Sequence, residues 1–109
     1  MNDRFLIVKR IKEFIFSIDN LIINLPRKEF IIKDRLLSDS FNVLELIYVA
    51  NSNNSKEIKI SILSKISMID FYFEYSYKKN YISLKNLNTY IFNLTKINKM
   101  LHGWINNEL

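Results

Sequence analysis

Apolar residues recur every three or four positions along most of this chain, and the breaks between the runs are few. The most regular run is the last, where Leu87, Tyr90, Leu94, Ile97, Leu101 and Trp104 alternate three and four apart. Such a seam lines one side of a helix packed lengthwise against others. It predicts a helix from Ser83, as its cap, to about Asn107. The first run predicts a helix from Asp3 to Asn24, with Asp3 placed to cap it and offset its dipole. Its inner stripe is expected at Val8, Ile11, Ile15, Ile18 and Ile22. A second stripe of Phe14, Leu21 and nearby Ile7 widens the apolar face beyond what a two-helix contact needs. That breadth implies burial on two sides, in a bundle that also touches another subunit.

Leu25-Pro26-Arg27 is the first break. Proline cannot continue a helix and pushes the residue before it out of the α region, but it suits the first turn of the next one. The second helix should therefore start at or just after Pro26, a structural position, and run through Phe30, Leu37, Phe41, Leu44, Ile47 and Tyr48 to Ala50. Asn51-Ser52-Asn53-Asn54-Ser55 reads as a loop. Ser55 then caps a third helix with a stripe of Ile62, Ile66, Ile69 and Phe73, joined by Ile58 and Leu63. Phe71 to Tyr77 alternates as a strand would, yet the helical pattern enters it without a break and no partner strand exists. Lys78, Lys79 and Asn80 end that helix, the cations suiting the negative end of its dipole.

Four helices of roughly twenty residues on short connections should run up-down-up-down. The prediction is all-α, a single four-helix-bundle domain over residues 1–109. One glycine and one proline in 109 residues leave too few turn residues for an all-β fold. With no cysteine, disulfides and thiolate metal sites are excluded. Every apolar run meets a charge well before ~20 residues, so no spanning helix is expected. Nor does the N-terminus read as a signal peptide, which points to a cytoplasmic protein.

Catalysis has little to build on. His102 is the one histidine, no spacing supplies it with a nucleophile or acid partner, and it reads as a packing or capping residue. There is no Glu-x-x-His, no phosphate-cradling glycine loop, and no cofactor or metal is implied. The expectation is a protein that is not an enzyme.

Sixteen Lys and Arg against eleven acidic residues give a net charge of +5, which favours polyanionic partners. The cations fall in loose patches, among them Arg27 with Lys28, Lys33 with Arg35, and Lys78 with Lys79. Each patch taken singly reads as a solvated helix face; copies arranged around a ring would sum to a strong field. Phe71, Tyr72, Phe73, Tyr75, Tyr77 and Tyr81 could form a stacking platform beside Lys78 and Lys79. Core and interface packing is the favoured reading, since such platforms usually sit on open sheets. Gly103 lies mid-helix beside the only tryptophan, where glycine costs ~1 kcal/mol relative to alanine. Gly103 and Trp104 are therefore assigned to packing, with Gly103 expected to admit another backbone or a bulky side chain.

Several motifs align in order with a known family. Leu25-Pro26-Arg27-Lys28 is followed by Asp34-Arg35-Leu36, Val43-Leu44-Glu45-Leu46-Ile47 and Ala50-Asn51. Then come Ile82-Ser83-Leu84 and Met100-Leu101-His102-Gly103-Trp104-Ile105. Together they resemble the accessory variability determinant proteins of diversity-generating retroelements, and the wider four-helix-bundle family related to the product of ribosomal RNA intervening sequences. His102 stands where that pattern usually has a second glycine.

The resemblance implies a homopentameric barrel of bundles. It further implies a non-catalytic accessory protein that binds a reverse transcriptase and nucleic acid, notably the template RNA, and supports mutagenic reverse transcription. Arg27 and Arg35 match basic positions of the resembling segments; Lys28, Lys33, Lys78 and Lys79 join them as candidate nucleic-acid contacts by clustering. The rival reading is a bundle oligomer that mediates protein–protein interaction without nucleic acid.

Overall fold

The three-and-four periodicity folds into four antiparallel rods. A computed structural model describes residues 3–53 and 55–107, with side chains from 6 to 105 apart from 54. The first rod is α1 (Asp3–Ser17) continued by α2 (Asp19–Asn24); the others are α3 (Phe30–Ser52), α4 (Lys56–Lys78) and α5 (Leu84–Asn107). α1 packs on α3 and α5, and α4 closes the square by packing on the same two. The predicted all-α four-helix bundle is therefore the fold. Helices of 23 residues are ~35 Å long, which accounts for most of the 41 Å long axis.

Local chemistry sets the boundaries. Between α1 and α2 the helical ladder persists, with Ile18 N–H on the Phe14 carbonyl at 3.2 Å and Ile22 N–H on the Ile18 carbonyl at 3.0 Å. The Ser17 hydroxyl also donates to the Phe14 carbonyl, at 2.7 Å, and this backbone competition marks the junction. Leu25 is extended (φ −72°, ψ 140°), as the residue before a proline must be. A single 3-10 turn, Arg27–Glu29, then leads into α3.

α3 runs two residues past Ala50, so Asn51 and Ser52 are helical rather than loop. The Ser52 hydroxyl donates to the Val49 carbonyl at 3.1 Å, satisfying a carbonyl of the last turn. Asn54 lies outside the described residues, as does the side chain of Asp3 that was expected to cap α1. Ser55 and Ser83 cap as predicted: their hydroxyl oxygens accept from Ile58 N–H at 3.3 Å and Asn86 N–H at 3.1 Å.

α4 ends in a Schellman turn. Asn80 takes φ 64°, Asn80 N–H bonds the Tyr77 carbonyl and Tyr81 N–H the Ser76 carbonyl, both at 2.9 Å. Asparagine tolerates this left-handed conformation better than other non-glycine residues.

The core corrects two stripes. In the first rod it is Ile7, Ile11, Phe14, Ile18, Leu21 and Leu25 that are buried, while Val8, Ile15 and Ile22 are partly covered at its edge. The wide face was read correctly but centred one position off. In α3 the buried line is Leu36, Val43, Ile47 and Ala50, and Phe30, Phe41 and Tyr48 stand exposed. The α4 stripe of Ile62, Ile66, Ile69 and Phe73 is core, and so are Leu94, Ile97, Leu101 and Trp104 of α5.

Gly103 is also corrected. It is exposed, and a Cβ built on it meets nothing within 4 Å. No neighbour among the described residues requires glycine there. Trp104, one residue on, is 4% exposed and packs into the core.

Candidate nucleic-acid interface

Antiparallel topology puts the α2–α3 and α4–α5 connections at one end of the bundle. Arg27 and Lys28, on the 3-10 turn, thereby reach the same end as Lys78 and Lys79, which close α4. The link is Glu29. Its carboxylate lies within electrostatic reach of the phenols of both Tyr75 and Tyr81. Desolvation first, and then this carboxylate, hold both phenols above their ordinary pKa.

Arg27, Lys28, Lys78 and Lys79 are all exposed. Lys78 pairs with Glu74 at 3.7 Å, both well exposed, a contact worth at most ~0.5 kcal/mol. The Lys79 ammonium sits 5.6 Å from the centroid of the Tyr75 ring.

A second set of groups lies one to two turns further down, where α3 meets α4. Asp39 is 5% exposed. The Tyr72 hydroxyl donates to its Oδ2 at 3.1 Å, and the Lys65 ammonium approaches Oδ1 at 3.7 Å. The Arg35 guanidinium flanks the same hydroxyl. Desolvation, the bond to Asp39 and the Asp39 charge raise the Tyr72 pKa, against a lowering pull from Arg35. The network is a buried carboxylate satisfied by a phenol and the Lys65 ammonium, the condition under which a buried charge is tolerated.

Arg35 itself is exposed and stands at the rim of this network, its guanidinium within reach of the Tyr72 hydroxyl. Lys33 does not join it. Two residues apart on a helix are ~200° apart around the axis, so Lys33 faces away from Arg35, half-buried.

Asp39 and Lys59 were missed in the sequence. Lys59 is 1% exposed with its ammonium 4.4 Å from the centroid of the Trp104 ring. Both could have been found. Asp39 falls three after Leu36 and four before Val43, and Lys59 three before Ile62, so each sits in register with an apolar stripe. A charge in that register is buried with a partner or misplaced.

The aromatic cluster splits. Tyr72 and Phe73 are buried, Phe73 stacking on Tyr90 at 5.0 Å and meeting Phe14 edge-on at 5.9 Å. Tyr75, Tyr77 and Tyr81 are half-buried, and Phe71 is exposed. His102 is exposed on α5.

Among the described residues no helix is long and apolar enough to cross a membrane, and no group of three or more His, Cys, Asp or Glu could hold a metal ion. Compared with known proteins, the chain matches no family model and no curated sequence.

Proposed function

We propose that this protein is a non-catalytic accessory factor of the accessory variability determinant type, an oligomeric basic scaffold that binds nucleic acid and a reverse transcriptase. The observation that carries the reading is the gathering of Arg27, Lys28, Arg35, Lys78 and Lys79. They come from separate stretches of sequence and lie at, or within about two turns of, one end of the bundle. Phosphate contacts from such a surface give affinity without sequence reading, and the affinity falls with salt. The motif order from Leu25-Pro26-Arg27-Lys28 to Gly103-Trp104-Ile105 supplies the polymerase partner, the template RNA and the ring of five.

Assembly has its own support. Phe16 (77% exposed), Phe41 (53%) and Tyr48 line the outside of α1 and α3. Between them lies an apolar groove of about 440 Å³ bordered by Lys12, Ile15, Phe16, Phe41 and Leu44. Exposed apolar surface on this scale marks an interaction site, and a second copy of the chain is the occupant an oligomeric scaffold requires.

Light scattering with and without a structured RNA, at low and moderate salt, tests the proposal. A multiple of 13.1 kDa that binds RNA reversibly with salt is the expected result. Salt-insensitive or absent RNA binding by an intact oligomer would leave the protein-interaction reading instead.

A further inference from the structure

The exposed aromatic on α4 differs from those on α1 and α3 in its neighbours. Met68, Phe71, Tyr75 and Lys79 follow one another at three and four residues and form an outward stripe. Phe71 is 50% exposed. Its inner side is buttressed by Tyr72 and Tyr75, with ring centroids 6.3 and 6.4 Å away and planes tilted by 58° and 57°. Tyr72 is fixed by its bond to Asp39, and Tyr75 is half-buried with the Lys79 ammonium 5.6 Å from its ring centroid. The ring is thus held from behind and open in front.

Cations lie nearby on α3 and further along α4. Arg35 lies across the α3–α4 seam beside Tyr72. Lys78 and Lys79 follow Phe71 by two turns, ~10 Å along the axis. Two nearby carboxylates are engaged, Asp39 with Tyr72 and Lys65 and Glu74 with Lys78, while Asp70, exposed and within electrostatic reach of Glu74, lines the α4–α5 side of the helix.

We propose that Phe71 is a stacking face for a base of single-stranded nucleic acid whose phosphates contact Arg35, Lys78 and Lys79. An aromatic ring flanked by cations is the arrangement that binds unpaired strands, because every base offers a π-face while a duplex hides it. The inference rests on the nucleic-acid part of the function proposed above and assigns it a surface and a strand state. It reverses the packing-only reading of this aromatic cluster for Phe71 alone.

Fluorescence anisotropy with a labelled oligouridine, and with a blunt duplex of the same length, provides the test across a salt series. Phe71→Leu should weaken oligouridine binding about 5- to 100-fold, the size of one lost base–aromatic stack, and leave the salt slope unchanged. Arg35→Ala and Lys79→Ala should each reduce the slope by about 0.7. A 2-aminopurine base placed in the strand should be quenched by the wild-type chain and not by Phe71→Leu.

Unchanged affinity in Phe71→Leu, with its thermal melt intact, overturns the stacking role while leaving the basic scaffold standing. Tighter binding to duplex than to oligouridine does the same. Binding to neither probe overturns the scaffold reading, and this inference with it.

Discussion

Two seams of the same bundle expose aromatic residues, and their surroundings separate them. Along α1 and α3 the rings of Phe16, Phe41 and Tyr48 face outward over an apolar groove whose one charge is Lys12, 5.9 Å from the Tyr48 centroid. Along α3 and α4 the exposed ring of Phe71 is set among Arg35, Lys78 and Lys79, over a buried network centred on Asp39. An apolar surface without charge is relieved by burial against another protein surface. A ring among cations suits a ligand with a π-face and a phosphate backbone. Exposure alone does not assign a role to an aromatic residue; the charges within reach of it do.

The largest effect expected from breaking this contrast is on assembly. Phe16→Glu combined with Phe41→Glu places two charges on the apolar seam and should reduce the particle to 13.1 kDa by light scattering. Helical circular dichroism should be retained, since neither ring belongs to the core. An oligomer of unchanged mass would show that copies meet elsewhere.

The network beneath the other seam should matter for stability instead. Tyr72→Phe leaves the Asp39 carboxylate, 5% exposed, without its neutral donor. The expected loss is ~1–3 kcal/mol in urea unfolding. Its pH dependence has a definite sign. The folded-state pKa of Tyr72 is raised, so the contribution of its protonated hydroxyl is complete below the ordinary tyrosine pKa and is lost as pH rises through the folded value. The gap between wild type and Tyr72→Phe should therefore narrow in alkali and stay constant from pH 7 to 9. A gap that widens with alkali would contradict the assignment of Asp39 as acceptor.

The smallest effect sharpens the view of α5, which belongs to neither seam. With open space around its Cβ position, Gly103→Ala should raise stability by up to ~1 kcal/mol through helix propensity. A higher melting temperature is expected for dilute protein. A lower one, appearing only in the assembled state, would place another copy against Gly103.

The helices were legible because their signals are local. Pro26 fixes φ and removes a donor, Ser55 and Ser83 each supply a hydroxyl to an orphan N–H, and the α4 and α5 stripes repeat without interruption. In α3 the inward face was not legible: the large apolar residues Phe30, Phe41 and Tyr48 lie outside, while small or polar residues such as Ala50, Ser40 and Asp39 occupy the inside. The candidate site was legible only in pieces. Arg35 could be named from the family resemblance and Lys78 and Lys79 from clustering, but Lys33, two residues from Arg35, belongs to a different face. Asp39, whose carboxylate fixes Tyr72 beneath the site, looked like one more surface acid.

The order of residues alone determined that this chain is helical, roughly where its four rods begin and end, and that it folds as a four-helix bundle. Those outcomes depend on backbone constraints and on spacing within a few turns. Tertiary structure decided which apolar stripe faces inward, which aromatics remain outside, and which cations share an end. These depend on how helices far apart in sequence rotate and meet. Glu29 has its charge from the sequence, but only the return of α4 to the same end brings Tyr75 and Tyr81 to it.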